Sequence, residues 1–178
     1  MTAANEMPYS YYPTGKDEYK FITDHGNEYT VSFVKYWQGD IVQLYSGINA
    51  SIYEFYFDTL DIRSKVFDNR ISFTLFDILE SFLNHPGRAA YYVTQRADGR
   101  AKELFKVYQF WYANYLRHKK DTRSYFHKID RVVLYDGVPE AYVSSLTWEG
   151  RFDDVDLDNA LDIVLKEIYP NATIHTFK

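Results

Sequence analysis

The chain has 178 residues, a hydrophobic fraction of 46%, a charged fraction of 25% and a formal net charge of −5. These values describe a globular chain with one expected core. They suggest neither disorder nor a membrane class, and the negative balance gives no global electrostatic pull toward nucleic acid or anionic lipid. The lack of cysteine excludes disulfides, thiolate metal sites and a cysteine nucleophile.

Residues 1–16 are polar and rich in Tyr, with Pro8, Pro13 and Gly15, and read as an extended N-terminal arm ahead of a single α+β domain over 17–178. The opening MTAANEMPYSYYP has neither the basic flank nor the apolar centre of a secretory signal, so the expected location is the cytoplasm. Tyr19 and Phe21, then Tyr29, Val31 and Phe33, alternate with other residues on either side of DHGN, which predicts a hairpin. SIYEFYFD gives a third strand. Ile71, Leu75, Ile78, Leu79 and Phe82 recur at helical spacing after a cap at Asp68 or Asn69, and His85-Pro86-Gly87 stops the pattern.

RAAYYVT reads as a fourth strand. A second helix follows, with Leu104, Phe105, Tyr108, Trp111, Tyr112 and Tyr115 on the face laid against the sheet. FHKIDRVVLYDGVPEAYVSSLTW is a second hairpin with its turn at DGVP. RFDDVDLDNALDIVLKEIYP starts with acids suited to a helix N-terminus and ends at Pro170, and NATIHTFK adds a short edge strand. The order βββ-α-β-α-ββ-α predicts an α+β fold, a mainly antiparallel sheet covered by two or three helices.

Between the fourth strand and the second helix lies TQRADGRAKELF, where Arg96, Asp98, Gly99, Arg100 and Lys102 form the candidate site for a ligand or partner. Arg96-Ala97-Asp98-Gly99-Arg100-Ala101 resembles the coenzyme A loop of the Gcn5-related acetyltransferases, in which the N–H groups of a helix N-terminus hold a diphosphate. That resemblance implies a coenzyme A-dependent acyltransferase-like protein. Two features oppose it. Asp98 puts a carboxylate in the loop and suits a turn or cap, and three strand candidates come before the first helix. The basic side chains either face an anion or form structural ion pairs, Arg100 with a carboxylate such as Asp68.

A broader resemblance runs from Tyr19 to Leu146. Tyr19, Phe21, Thr23, Gly26, Tyr29, Val31 and Phe33, then Asp68, Arg70, Thr74, Ile78 and Phe82, then Tyr92, Asp98-Gly99-Arg100, Leu104-Phe105 and Trp111 resemble a family of small Bacteroidota proteins, a domain of unknown function. The resemblance implies a fold and a centre of interest at Asp98 to Arg100, and no catalytic residue.

The basic loop Arg117, Lys119, Lys120 and Arg123, beside Tyr112, Tyr115 and Tyr125, is the local candidate for nucleic-acid contact. A charge run after a helix is more often a solvated C-terminal feature, so nucleic acid is not an expected partner. Asp154, Asp156 and Asp158 begin like a calcium loop, but Asn159 and Leu165 stand where that loop needs Gly and Glu. The five histidines are scattered, and Ser144 and Ser145 lack the setting of a hydrolase elbow. No catalytic residue, metal or cofactor is expected. The aromatic excess, 18 Tyr, 13 Phe and 3 Trp, points instead to binding, to a protein partner or to a second copy in a homo-oligomer, through a ring-rich surface.

Overall fold

The computed structural model describes residues 7–36, 51–61, 68–95, 99–119, 126–148 and 154–177. The fold is α+β. Its strands are β1 (Tyr11–Gly15), β2 (Glu18–Ile22), β3 (Glu28–Lys35), β4 (Ser51–Asp61), β5 (Arg88–Thr94), β6 (Phe126–Tyr135), β7 (Val138–Trp148) and β8 (Thr173–Thr176). The helices are α1 (Asn69–Leu83) between β4 and β5, α2 (Ala101–His118) between β5 and β6, and α3 (Asp154–Ile168) between β7 and β8. The strands form one sheet in the order β1-β2-β3-β4-β5-β7-β6-β8. Among the described residues the strand pairings are antiparallel except β4 with β5, which run parallel because α1 carries the chain back between them.

The segment read as an extended arm supplies β1, which pairs with β2 from Tyr11↔Phe21 to Gly15↔Glu18. Pro13 is tolerated because β1 is an edge strand. The chain divides into two compact units, residues 1–34 with 55–85 and residues 35–54 with 86–178.

In the first unit the β2–β3 alternation buries Phe21, Val31 and Phe33, while α1 buries Ile71, Leu75, Ile78, Leu79 and Phe82. The Phe33 and Phe82 rings stack at 3.6 Å, and Tyr29 stacks between Phe21 and Phe57 at 5.1 Å from each. Asp68 is the cap of α1 and accepts the Arg70 N–H at 2.9 Å. Its second oxygen accepts the Tyr9 hydroxyl at 2.5 Å, and the Arg70 guanidinium lies 3.8 Å over the Tyr9 ring and pairs with Asp24 at 2.7 Å. The cap and the Tyr9 ring thus tie the start of α1 to the chain before β1, and the ion pair ties it to the turn between β2 and β3.

In the second unit the central sheet has two unlike faces. Ile52, Ala89, Tyr91, Val133, Ala141 and Val143 meet Ala160, Leu161, Val164 and Leu165 of α3 in a closely packed cluster. Arg131 shares that face at 1% exposure, with its Nε 3.6 Å from Asp162 and its Nη1 donating to Ser145 at 3.4 Å. A fully buried guanidinium needs such partners to offset desolvation. The opposite face carries α2. There Phe105, Val132 and Tyr142 form a small cluster, and of the eighteen residues of α2 only Phe105 and Tyr115 are buried. Tyr108, Trp111 and Tyr112 are half-buried, and Tyr108 meets Tyr92 edge-on at 5.3 Å. The ring-rich face of α2 therefore does lie on the sheet, but rings and polar groups do the packing where α3 uses aliphatic side chains.

Candidate functional site

The described chain resumes after β5 at Gly99, whose φ of +74° belongs to the left-handed region. A Cβ there would meet nothing within 4 Å, so backbone conformation, not space, is what favours glycine. Arg100 occupies the cap position of α2 with φ −94° and ψ 19°, and its side chain makes no cap hydrogen bond. The first intrahelical bond runs from the Leu104 N–H to the Arg100 carbonyl at 3.2 Å. The cap residue of this 18-residue helix thus supplies no side-chain acceptor for its first N–H groups, at the end of its dipole that favours negative charge. Glu103 is the acid in that first turn, and it is exposed.

The facing wall is built by the β6–β7 hairpin. Asp136 and Gly137, with φ of 50° and 81°, make the tight turn, and Val138 and Pro139 already belong to β7. Just beyond, the register slips: Leu134 pairs with Pro139 and Val133 with Ala141, leaving Glu140 as the extra residue of a β-bulge. A bulge re-aims the side chain it inserts. The Glu140 carboxylate accepts a 2.9 Å hydrogen bond from the Gln95 amide at the end of β5. Tyr142 follows, its ring stacked on Phe105 at 4.7 Å and against Phe177 at 6.4 Å.

A cavity of about 840 Å³ lies between these walls, lined by Gly99, Ala101 and Lys102 on one side and by Pro139, Glu140 and Tyr142 on the other, with Gln95 completing it. That volume lies within the roughly 300 to 1,000 Å³ usual for small-molecule sites. Lys102 is exposed and makes no ion pair or hydrogen bond among the described residues, although Glu140 lines the same space. Thr94 pairs with Tyr142 across the ladder and is 1% exposed, yet its hydroxyl has no hydrogen-bond partner among the described residues. An orphaned buried hydroxyl costs about 1–3 kcal/mol, so a polar group supplied from outside the described residues would stabilise this corner.

A second polar cluster lies on the same face of the sheet, toward the middle of α2. Lys128, with its side chain 3% exposed, pairs with Asp130, which also accepts the Ser144 hydroxyl at 2.5 Å. Burial lowers the Lys128 amine from its usual range and the Asp130 carboxylate opposes that shift. Burial likewise raises the Tyr92 phenol, while its hydrogen bond with Ser144 acts the other way. The Lys128 ammonium sits 5.6 Å from the Phe105 ring centre and 5.5 Å from that of Tyr112. Rings and carboxylate together account for a cation held out of water. With its polar groups paired to one another, this cluster stabilises the α2 face and offers no open reaction site.

Of the residues singled out in the sequence, Gly99 and Lys102 line the cavity, and Arg100 is exposed at the cap position between them. Arg96 and Asp98 lie outside the described residues. Arg117, exposed, donates to Asn114 at 3.4 Å, and the Lys119 ammonium lies 5.9 Å over the Tyr115 ring. Lys120 and Arg123 lie outside the described residues. Ser144 and Ser145 are fully buried in β7. The sequence reading did not include Gln95, Glu140 or Tyr142 in the site. The only signal for Glu140 was Pro139 just after the turn, a residue that disturbs strand pairing.

Among the described residues no group of three His, Asp or Glu side chains could hold a metal ion. None of the described helices is long and apolar enough to cross a membrane. Comparisons of the chain with protein-family profiles, with curated proteins and with solved structures find no match. The two resemblances noted in the sequence therefore rest on the residues quoted for them.

Proposed function

We propose that this protein binds a small anionic ligand in the cavity at the start of α2, without chemistry of its own. The observation that carries this reading is the convergence, on one cavity wall, of the first turn of α2 with Lys102, which makes no ion pair or hydrogen bond among the described residues. Helix N–H groups, the helix dipole and an ammonium all favour negative charge at the same place.

A coenzyme A diphosphate fits these walls less well than a single anionic group does, because Glu140 lines the facing wall and would repel added charge. Much of the aromatic content that suggested a partner surface is taken up by ring-to-ring packing, as in Phe21–Tyr29–Phe57 of the first unit and Tyr115–Phe126–Trp148 of the second.

Calorimetric titration with ethyl phosphate tests the reading. Binding is expected in the wild type, and Lys102→Ala should weaken it about tenfold, the value of roughly one charge-assisted hydrogen bond. Equal affinity in the two proteins would remove Lys102 from the site. Binding of acetyl-coenzyme A with ethyl phosphate silent would instead return the loop to the acyltransferase reading.

A further inference from the structure

Resting on that reading of the cavity as an anion site, we infer that its ligand is zwitterionic, with an ammonium group a short spacer away from the anionic one. The argument begins with Glu140. A regular β6–β7 ladder would pair this residue with β6, but the bulge makes it the unpaired extra residue and brings its carboxylate to the cavity wall. The Gln95 amide holds one carboxylate oxygen at 2.9 Å. An amide donor orients the carboxylate without neutralising it, so a full negative charge remains at this wall.

Lys102 is the cation of the opposite wall, and the two make no ion pair with each other although they line one cavity. Opposite charges across a gap, each turned to the same space, match a ligand that carries the complementary charges in reverse order. The anion would sit against Lys102 and the first turn of α2, and the ammonium against Glu140. A ligand with only an anionic group would leave Glu140 facing it unpaired, at an electrostatic cost. Tyr142, held in place by Phe105 and Phe177, lines the same cavity, and a space of about 840 Å³ suits a small ligand with a short spacer.

The matched pair O-phosphoethanolamine and ethyl phosphate separates this inference from the reading beneath it, since the two share a phosphate and differ by the ammonium. By calorimetry on the full chain, O-phosphoethanolamine should bind at least about tenfold more tightly, the worth of one well-placed ion pair. Glu140→Gln should abolish that preference while leaving ethyl phosphate binding unchanged or stronger, and circular dichroism should show the variant folded because Glu140 is exposed. Equal binding of the two probes, or a preference that survives Glu140→Gln, would overturn the zwitterion and leave the anion site standing. No binding of either probe at millimolar concentration would overturn both.

Discussion

The two faces of the sheet in the second unit solve the same problem in opposite ways. On the α3 face, aliphatic side chains from four strands and one helix interlock, and a single buried guanidinium is held by Asp162 and Ser145. On the α2 face, an 18-residue helix buries only Phe105 and Tyr115 and rests on rings and on the Lys128–Asp130–Ser144 cluster. Dense apolar packing fills the α3 face. On the α2 face the stacked rings of Phe105 and Tyr142, together with a bulge in β7, border a cavity at the start of α2. Sparser aliphatic packing and open space thus occur together on one face, and open space is what binding requires.

The largest expected effect tests the packing contrast. Leu165→Ala on the α3 face should cost about 4 kcal/mol in urea denaturation, and Phe105→Ala on the α2 face about 3 kcal/mol, because a residue in the denser cluster leaves a cavity that relaxes less. A larger loss at Phe105 would invert the contrast.

The next effect is a pH dependence. Burial, reinforced by the Glu54 and Glu140 carboxylates, raises Tyr169 at the edge of the α3 cluster from 10.0 to about 12. The folded state then holds a proton that the unfolded state releases. The stability this group contributes is full below 10.0 and is lost as pH rises from 10.0 to about 12. Tyr169→Phe should flatten that alkaline decline, measured as urea midpoints across the window. An unchanged decline would place its origin elsewhere.

A smaller effect concerns the site itself. Gly99→Ala should destabilise by about 1 kcal/mol from left-handed backbone strain alone, since the added methyl meets nothing within 4 Å. No loss would mean that the turn before α2 relaxes freely and does not hold the cavity wall.

Much of the fold is legible in the sequence because its hydrophobic periods are strong. Phe21, Val31 and Phe33 at strand spacing, and Ile71, Leu75, Ile78 and Phe82 at helical spacing, are buried as their patterns require. Asp68 caps α1 as its position suggests. β1 was not legible, since Pro13 and Gly15 look like breakers and only the edge position makes them acceptable. Of the seven residues that line the cavity, two were singled out in the sequence. Gly99 and Lys102 announce a turn and a basic helix start, and they line the cavity.

Glu140 and Gln95 were not legible, because they are far apart in sequence and meet only through the β5–β7 pairing and the slip in β6–β7 register. Nothing in the sequence singled out Lys128, Asp130 or Arg131 as buried. Strand alternation instead puts Arg131 under α3 and the Lys128–Asp130 pair under α2, a consequence of both sheet faces being covered.

The most direct measurement of the central claim is the response of backbone amide resonances to O-phosphoethanolamine. Gly99, Ala101 and Lys102 should shift together with a single saturating dependence on ligand, because their N–H groups and side chains line the anion end of the cavity. Silence at these three residues, with shifts confined to Arg117 and Lys119 at the other end of α2, would contradict the account and move the binding site to the basic loop.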